Sequence, residues 1–144
     1  MDWKNEAVND LKNYNLRKRA IESLRDRIRL LEEQIKAVAS PKVGERVMGG
    51  AKKPDEGWLN NITERERLSQ SLYIAESMVE LTERGLSTLE ERERRVLEGF
   101  YVTPETDHVF KLCTELFLEK STLYRLKNEA LRKFTLAQYG TVEI

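Results

Sequence analysis

The sequence predicts an all-α protein, a long antiparallel helical hairpin of coiled-coil character followed by a module of three shorter helices. Three observations carry that expectation. Two long stretches repeat their apolar residues at alternating steps of three and four, which is the spacing of a helical seam. The last third carries helix starts and stops at short intervals. Hydrophobic residues make up 40% of the 144 and charged residues 35%, too apolar for a disordered tail and suited to exposed, charge-laced helices.

The first helix is expected within Trp3 to Ala39, which contains neither proline nor glycine. Ile21, Leu24, Ile28, Leu31, Ile35 and Val38 form its heptad seam. Arg25, Asp26, Arg27, Arg29, Glu32, Glu33 and Lys36 lie between them as the solvated remainder. Before Ile21 the pattern is less regular, with Val8, Leu11, Tyr14 and Leu16 spread around more of the helix, so a helix start with a poorer packing seam is expected there. Ser40-Pro41 ends the segment, because proline cannot continue the backbone ladder. Gly44, Gly49, Gly50, Pro54 and Gly57 then mark a flexible linker at about 40–57. Its Gly49-Gly50-Ala51-Lys52-Lys53 lacks the spacing and the following Ser/Thr of a phosphate-cradling loop.

A second long helix is expected from about Trp58 to Arg84, with Leu68, Leu72, Ala75, Val79, Thr82 and Leu86 as its seam. Two seams of similar length joined by a loop should pair, giving a hairpin over residues 1–86. Two chains contributing to one bundle is the alternative, since a two-helix pair buries little area.

Near Gly85 the second helix is expected to break, and Ser87-Thr88-Leu89-Glu90 reads as a capping box that opens the second domain, residues 87–144. The helix that starts there should run to about Val102 and bury Leu89, Val96, Leu97, Phe100 and Tyr101 before Thr103-Pro104 stops it. A short helix follows, roughly Asp107 to Phe117, with Val109, Leu112, Cys113 and Leu116 inward. After a turn around Leu118, the last helix turns Leu123, Leu126, Ala130, Leu131 and Phe134 inward.

Several function classes are disfavoured. No run of some 18 apolar residues is present to span a bilayer, and Met1 to Leu11 lacks the basic-then-apolar order of a secretory signal, so a cytoplasmic protein away from the membrane is expected. The one cysteine, Cys113, has no internal disulfide partner, and with only His108 nearby it cannot assemble the ligands of a structural zinc. Cys113 reads as a small core residue and His108 as a surface or capping residue. Trp3 and Trp58 flank the ends of the expected hairpin as packing or interface residues. Glu32-Glu33 and Glu90-Glu91 diverge on helices and read as solvated faces. No metal, cofactor or catalytic constellation is expected, and the chain is not read as an enzyme.

Formal net charge is zero, so any affinity for nucleic acid must come from local segregation of charge. Between Leu118 and Tyr139 basic residues exceed acidic ones by three. Two short helices joined by a turn, the second carrying Lys120, Ser121, Thr122, Arg125 and Asn128 away from its apolar side, have the layout of a helix-turn-helix. Lys120 and Arg125 can donate to guanine O6/N7 or to phosphate, Asn128 can pair with adenine, and Ser121 or Thr122 can bond either. Arg132 and Lys133, further along, suit the DNA backbone.

The segments LSTLEERERRVLEGFY and LCTELFLEKSTLYRLKNEALRKF resemble the region 4 module of sigma-70-type factors, and more closely phage and prophage transcriptional regulators of the ArpU/RinA type. The resemblance extends upstream to NITERERLSQSL and is best in the last third. It implies that Lys120, Ser121, Tyr124 and Arg125 occupy the positions at which sigma region 4 reads the promoter −35 element. The chain departs from the pattern at Phe117, where such turns often carry glycine, and at Ser121 and Tyr124, which replace charged residues. No segment resembles the sigma region that binds the −10 element, so a complete sigma factor is not expected. The expected function is a sequence-specific regulator of phage or prophage genes that binds double-stranded DNA. Its hairpin would position the last helix by forming a homodimer or by contacting RNA polymerase. The alternative is a helical adaptor that binds the polymerase or another protein without specific DNA contact.

Overall fold

A computed structural model describes residues 1–39 and 56–142. Among them are six α-helices, one π-helical turn and no strand: α1 (Trp3–Lys12), α2 (Tyr14–Ala39), α3 (Glu56–Ser87), α4 (Glu91–Leu97), the π-turn (Glu98–Val102), α5 (His108–Leu116) and α6 (Lys120–Tyr139). The expected linker at about 40–57 lies outside the described residues except at its end, where Glu56 and Gly57 already belong to α3. The chain divides into two compact units, Met1–Lys18 with Ser77–Ile144, and Arg19–Glu76. This division differs from the boundary expected at residue 86.

The first unit holds both hydrophobic clusters that centre on α6. Ala7 and Leu11 of α1 join Leu86, Leu89, Leu97, Ala130, Leu131 and Phe134 in one cluster, with Tyr101, Val102 and Tyr139 against it. The irregular pattern before Ile21 is explained by this arrangement. α1 is a separate helix that ends at Asn13 and packs its own narrow face, whereas Leu16 beyond the break is exposed. Asp2 caps α1 by accepting the Asn5 N–H at 3.1 Å, satisfying one of the free amides at a helix start. At the far end of the contact, the Tyr139 hydroxyl donates to Asp10 Oδ2, Arg17 donates to Asp10 Oδ1 at 2.8 Å, and the Trp3 and Tyr139 rings lie 5.0 Å apart.

Gly85 does not break α3, which continues to Ser87. A Cβ at Gly85 would stand 2.8 Å from Phe134 Cε1, so the glycine lets α3 and α6 approach closely. The Ser87 and Thr88 hydroxyls accordingly turn back onto α3, donating to the Arg84 and Gly85 carbonyls at 2.6 and 2.7 Å. The start of α4 is instead built by acidic residues. Glu90 is its N-cap, and the Glu90 N–H donates to Glu93 Oε1 at 3.1 Å. Arg94 reaches back to the Leu86 and Leu89 carbonyls, both at 3.2 Å, tying α4 to the end of α3 and the turn that follows it.

The helix expected to run to Val102 changes pitch at Glu98. There the Thr103 N–H bonds the Glu98 carbonyl at 2.9 Å, the five-residue spacing of a π-turn. A Cβ at Gly99 would stand 2.7 Å from Leu112 Cδ1, so α5 presses directly on this turn. Neighbouring side chains here serve two cores. Val96 and Phe100 join Leu112 and Leu123 in the second cluster, while Leu97, Tyr101 and Val102 face the first.

In the second unit, Arg25 pairs with Glu76 at 3.0 Å and the Asn61 amide donates to the Leu31 carbonyl at 3.0 Å. The order of these bridges is opposite along α2 and α3, so the two helices run antiparallel where they meet. Ile21 is buried, but Leu24, Ile28, Leu31 and Ile35 are only half-buried, as are Ile62, Leu68, Leu72 and Ala75. The seam residues face inward, yet two helices cannot cover them fully. The side chain of Val38 lies outside the described residues.

No helix among the described residues is long and apolar enough to cross a membrane.

Candidate nucleic-acid interface

The site is assembled by the packing of α4, α5 and α6. Leu112, Val96 and Leu123 are fully buried together, with Val109, Cys113, Leu116, Leu118 and Leu126 around them. α5 is locked to α4 at the surface by Arg95, whose guanidinium bonds both Glu115 oxygens at 2.7 and 3.1 Å. Arg92 adds a bond to the Leu116 carbonyl at 3.0 Å. Such a forked pair fixes geometry as well as distance.

Between α5 and α6 the chain turns within Phe117, Leu118 and Glu119. Phe117 adopts the left-handed conformation, with φ 56° and ψ 46°, which is the region a glycine would normally occupy at a helix end. The turn expected for glycine is therefore made by phenylalanine. Phe117 is 94% exposed, and Phe110 on α5 is 73% exposed.

On α6, Leu123, Ala130, Leu131 and Phe134 are buried. The remaining surface carries Ser121, Arg125, Asn128 and Arg132, all exposed, at steps of four, three and four along one stripe. Lys120 and Tyr124 lie on the adjoining stripe, also exposed, whereas Thr122 is half-buried. Among the described residues, Lys120, Ser121, Arg125 and Asn128 have no side-chain partner. This leaves two cations and two small polar groups free on one helix face.

The two cations nearer the end of α6 are engaged. Arg132 pairs with Glu129 at 2.8 Å, and its guanidinium holds the Glu129 carboxyl below the ordinary range. Lys133 pairs with Glu93 at 2.8 Å, a hydrogen bond that raises the ammonium above its ordinary pKa. The Arg132 pair is exposed on both sides and easily exchanged for another anion. Lys133 is held by a carboxylate that belongs to the core.

Sequence reasoning missed an aromatic group behind the face. Phe100, presented by the π-turn, meets His108 edge-on at 5.0 Å and Tyr124 at 5.6 Å. The Lys127 ammonium sits 5.5 Å from the Phe100 ring centre and 5.4 Å from that of Tyr124. The one readable signal was the spacing of Tyr124 and Lys127, three apart and therefore neighbours on a helix. His108, read from sequence as a surface or capping residue, is half-buried against this group, and Asp107 is the N-cap of α5.

Among the described residues no group of three or more His, Cys, Asp or Glu side chains is placed to hold a metal ion. Cys113 is a free thiol, half-buried in the second cluster. Comparison with protein-family models, curated proteins and solved structures gives no match for this chain.

Proposed function

We propose that the chain is a sequence-specific DNA-binding transcriptional regulator of the cytoplasm, not an enzyme, in which α5 and α6 act as a helix-turn-helix. The observation that carries this reading is the row of Ser121, Arg125 and Asn128, with Lys120 beside it. These groups have no partner within the described chain, and the opposite face of their helix is the core. Exposed polar groups arrayed on a rigid helix are what base edges and phosphates require. In this reading α6 enters the major groove, with its first turns against the bases and Arg132 towards the backbone. α2 and α3 act as a helical hairpin that positions the module by dimerising or by contacting RNA polymerase. The likeness to sigma region 4 and to phage and prophage regulators of the ArpU/RinA type makes an activator of a phage or prophage gene block the specific form of the proposal.

The exposed rings of Phe110 and Phe117 favour a second reading, an adaptor that binds RNA polymerase or another protein without specific DNA contact. Fluorescence anisotropy of the full chain against DNA fragments from its genomic neighbourhood separates the two. Tight binding to one fragment, weakening with salt and resisting competitor DNA, supports the regulator. Uniformly weak binding to every fragment, with RNA polymerase recovered on the immobilised protein, supports the adaptor.

A further inference from the structure

We infer that Phe100 and Lys127 are positioning residues that hold Tyr124 as a fixed base-reading side chain, an inference that rests on the DNA-binding reading above. Tyr124 is 37% exposed, and its hydroxyl has no hydrogen-bond partner among the described residues. The covered part of its ring is gripped on two sides. Phe100 meets it at 5.6 Å with the ring planes at 70°, the edge-to-face arrangement that the ring quadrupoles favour. The Lys127 ammonium lies within cation–π reach of both rings, at 5.5 and 5.4 Å, so it bridges the pair.

A tyrosine has two side-chain torsions to lose, and a phenol already held in place gives up little freedom when it meets a base. An unsupported tyrosine on the same helix would sample several rotamers and discriminate poorly. Phe100 lies within the π-turn, Glu98–Val102. Phe100 faces α6 while its neighbours Tyr101 and Val102 pack on the other cluster. The pitch change thus connects the core to the outer face of the reading helix. Short π-helical turns recur at functional positions for this kind of re-aiming.

The structure therefore assigns one part of the recognition surface to phenol-mediated discrimination of one or two adjacent base pairs. The remaining free groups, Lys120, Ser121, Arg125 and Asn128, act separately from it.

The test is selection from a pool of random duplex DNA by the full chain, repeated with Y124F, F100L and K127Q, with thermal melts and salt titrations alongside. The wild-type chain is expected to enrich one site. Y124F should lose preference at one or two adjacent base pairs. F100L and K127Q should weaken that same preference about five- to tenfold, with preferences elsewhere retained. A role limited to packing would lower the melting temperature without moving base preference. Unchanged preferences in F100L and K127Q, beside a wild type that enriches a site, would overturn the inference and leave the DNA reading intact. A wild type that enriches no sequence would overturn both. Should F100L fail to fold, K127Q decides, because its side chain lies over the rings rather than in the core.

Discussion

The Lys133 ammonium lies 2.8 Å from Oε2 of Glu93, a carboxylate whose side chain keeps only 5% of its surface exposed, while Oε1 of the same group accepts the Glu90 N–H at 3.1 Å. Glu93 thus serves α4 and α6 together: it ties down a free amide at the start of one helix and a cation on the other. Removing it leaves an uncapped amide and a cation without its anion. Glu93→Ala should lower the unfolding free energy by about 1 to 3 kcal/mol, read from denaturant midpoints. Glu93→Gln, which keeps an acceptor for the amide but not the charge, should fall between the two. Equal stability of all three chains would show that the pair contributes nothing.

Gly85→Ala sets two opposing effects against each other. Alanine gains about 1 kcal/mol over glycine inside a helix, but its Cβ would stand 2.8 Å from Phe134 Cε1. The Phe134 ring is fully buried and cannot swing aside, and overpacking of this kind costs about 1 to 3 kcal/mol. A net loss is expected, seen as a lower melting temperature. The corresponding Gly99→Ala should lose stability in the same way, because its Cβ would stand 2.7 Å from Leu112 Cδ1 and 3.1 Å from Cγ, and Leu112 is as deeply buried as Phe134. A G85A chain more stable than the wild type would mean that α3 and α6 do not approach as closely as the structure has them.

Phe117→Gly should be one of the rare substitutions that stabilise. A phenylalanine in the left-handed region costs about 1 to 2 kcal/mol, and its ring is 94% exposed, so little packing is lost with it. The greater freedom of glycine in the unfolded chain takes back part of the gain. A rise of about 0.5 to 1 kcal/mol is expected. A fall would show that the ring packs in a way its exposure conceals.

What the sequence disclosed and what it hid follow one physical rule. Periodicity tells which face of a helix is apolar, so the inward residues of α6, Leu123, Leu126, Ala130, Leu131 and Phe134, were legible, as was the half-buried seam from Leu24 to Ile35. Periodicity does not tell what that face meets. Leu11 looked like part of an imperfect hairpin seam because its partners, Ala130 and Phe134 among them, lie at the other end of the chain. Gly85 looked like a helix break because a close approach by Phe134 leaves the same mark on a sequence as a turn does. Lys133 could not be told from the free cations of α6 for the same reason, since Glu93, which holds it, lies on α4, whereas the Arg132 pair with Glu129 is three apart on one helix. The Phe100, Tyr124 and Lys127 group joins the π-turn to α6, a contact between segments some twenty residues apart that no local pattern marks.

Alkaline pH should expose the contact between the two ends of the first unit. Burial, and then the hydrogen bond to Asp10, raise Tyr139 above the ordinary tyrosine value of 10. Below that value both folded and unfolded chains keep the proton. As the pH rises past 10, the unfolded chain releases it first, so stability is progressively lost until the folded chain titrates as well. Tyr101, raised by burial, and Lys133, raised by its bond to Glu93, add slopes of the same sign. Tyr139→Phe should lower stability at neutral pH by about 1 kcal/mol for the lost bond, and should make the alkaline decline shallower. Urea midpoints measured from neutral pH to beyond 10 test both effects, and an unchanged slope would remove Tyr139 as their source.

Arg125 and Arg132 share one stripe of α6 and should nonetheless fail differently when truncated. Arg125 is free and near the start of the helix, whereas Arg132 already pairs with Glu129 at 2.8 Å; in the proposed docking Arg125 would face base edges and Arg132 the DNA backbone. Arg125→Ala should cost about 1 to 3 kcal/mol of specific binding and relax preference at one base pair. Arg132→Ala should weaken binding to all sequences alike and reduce the salt slope by about 1. Part of even that loss is offset, since Glu129 no longer has to release its partner. Anisotropy titrations of both variants at several salt concentrations, on a selected site and on scrambled DNA, read the two signatures. If Arg125→Ala lost affinity evenly on both sequences, α6 would be acting as a charged surface rather than as a reading helix, and the adaptor reading would gain over the regulator.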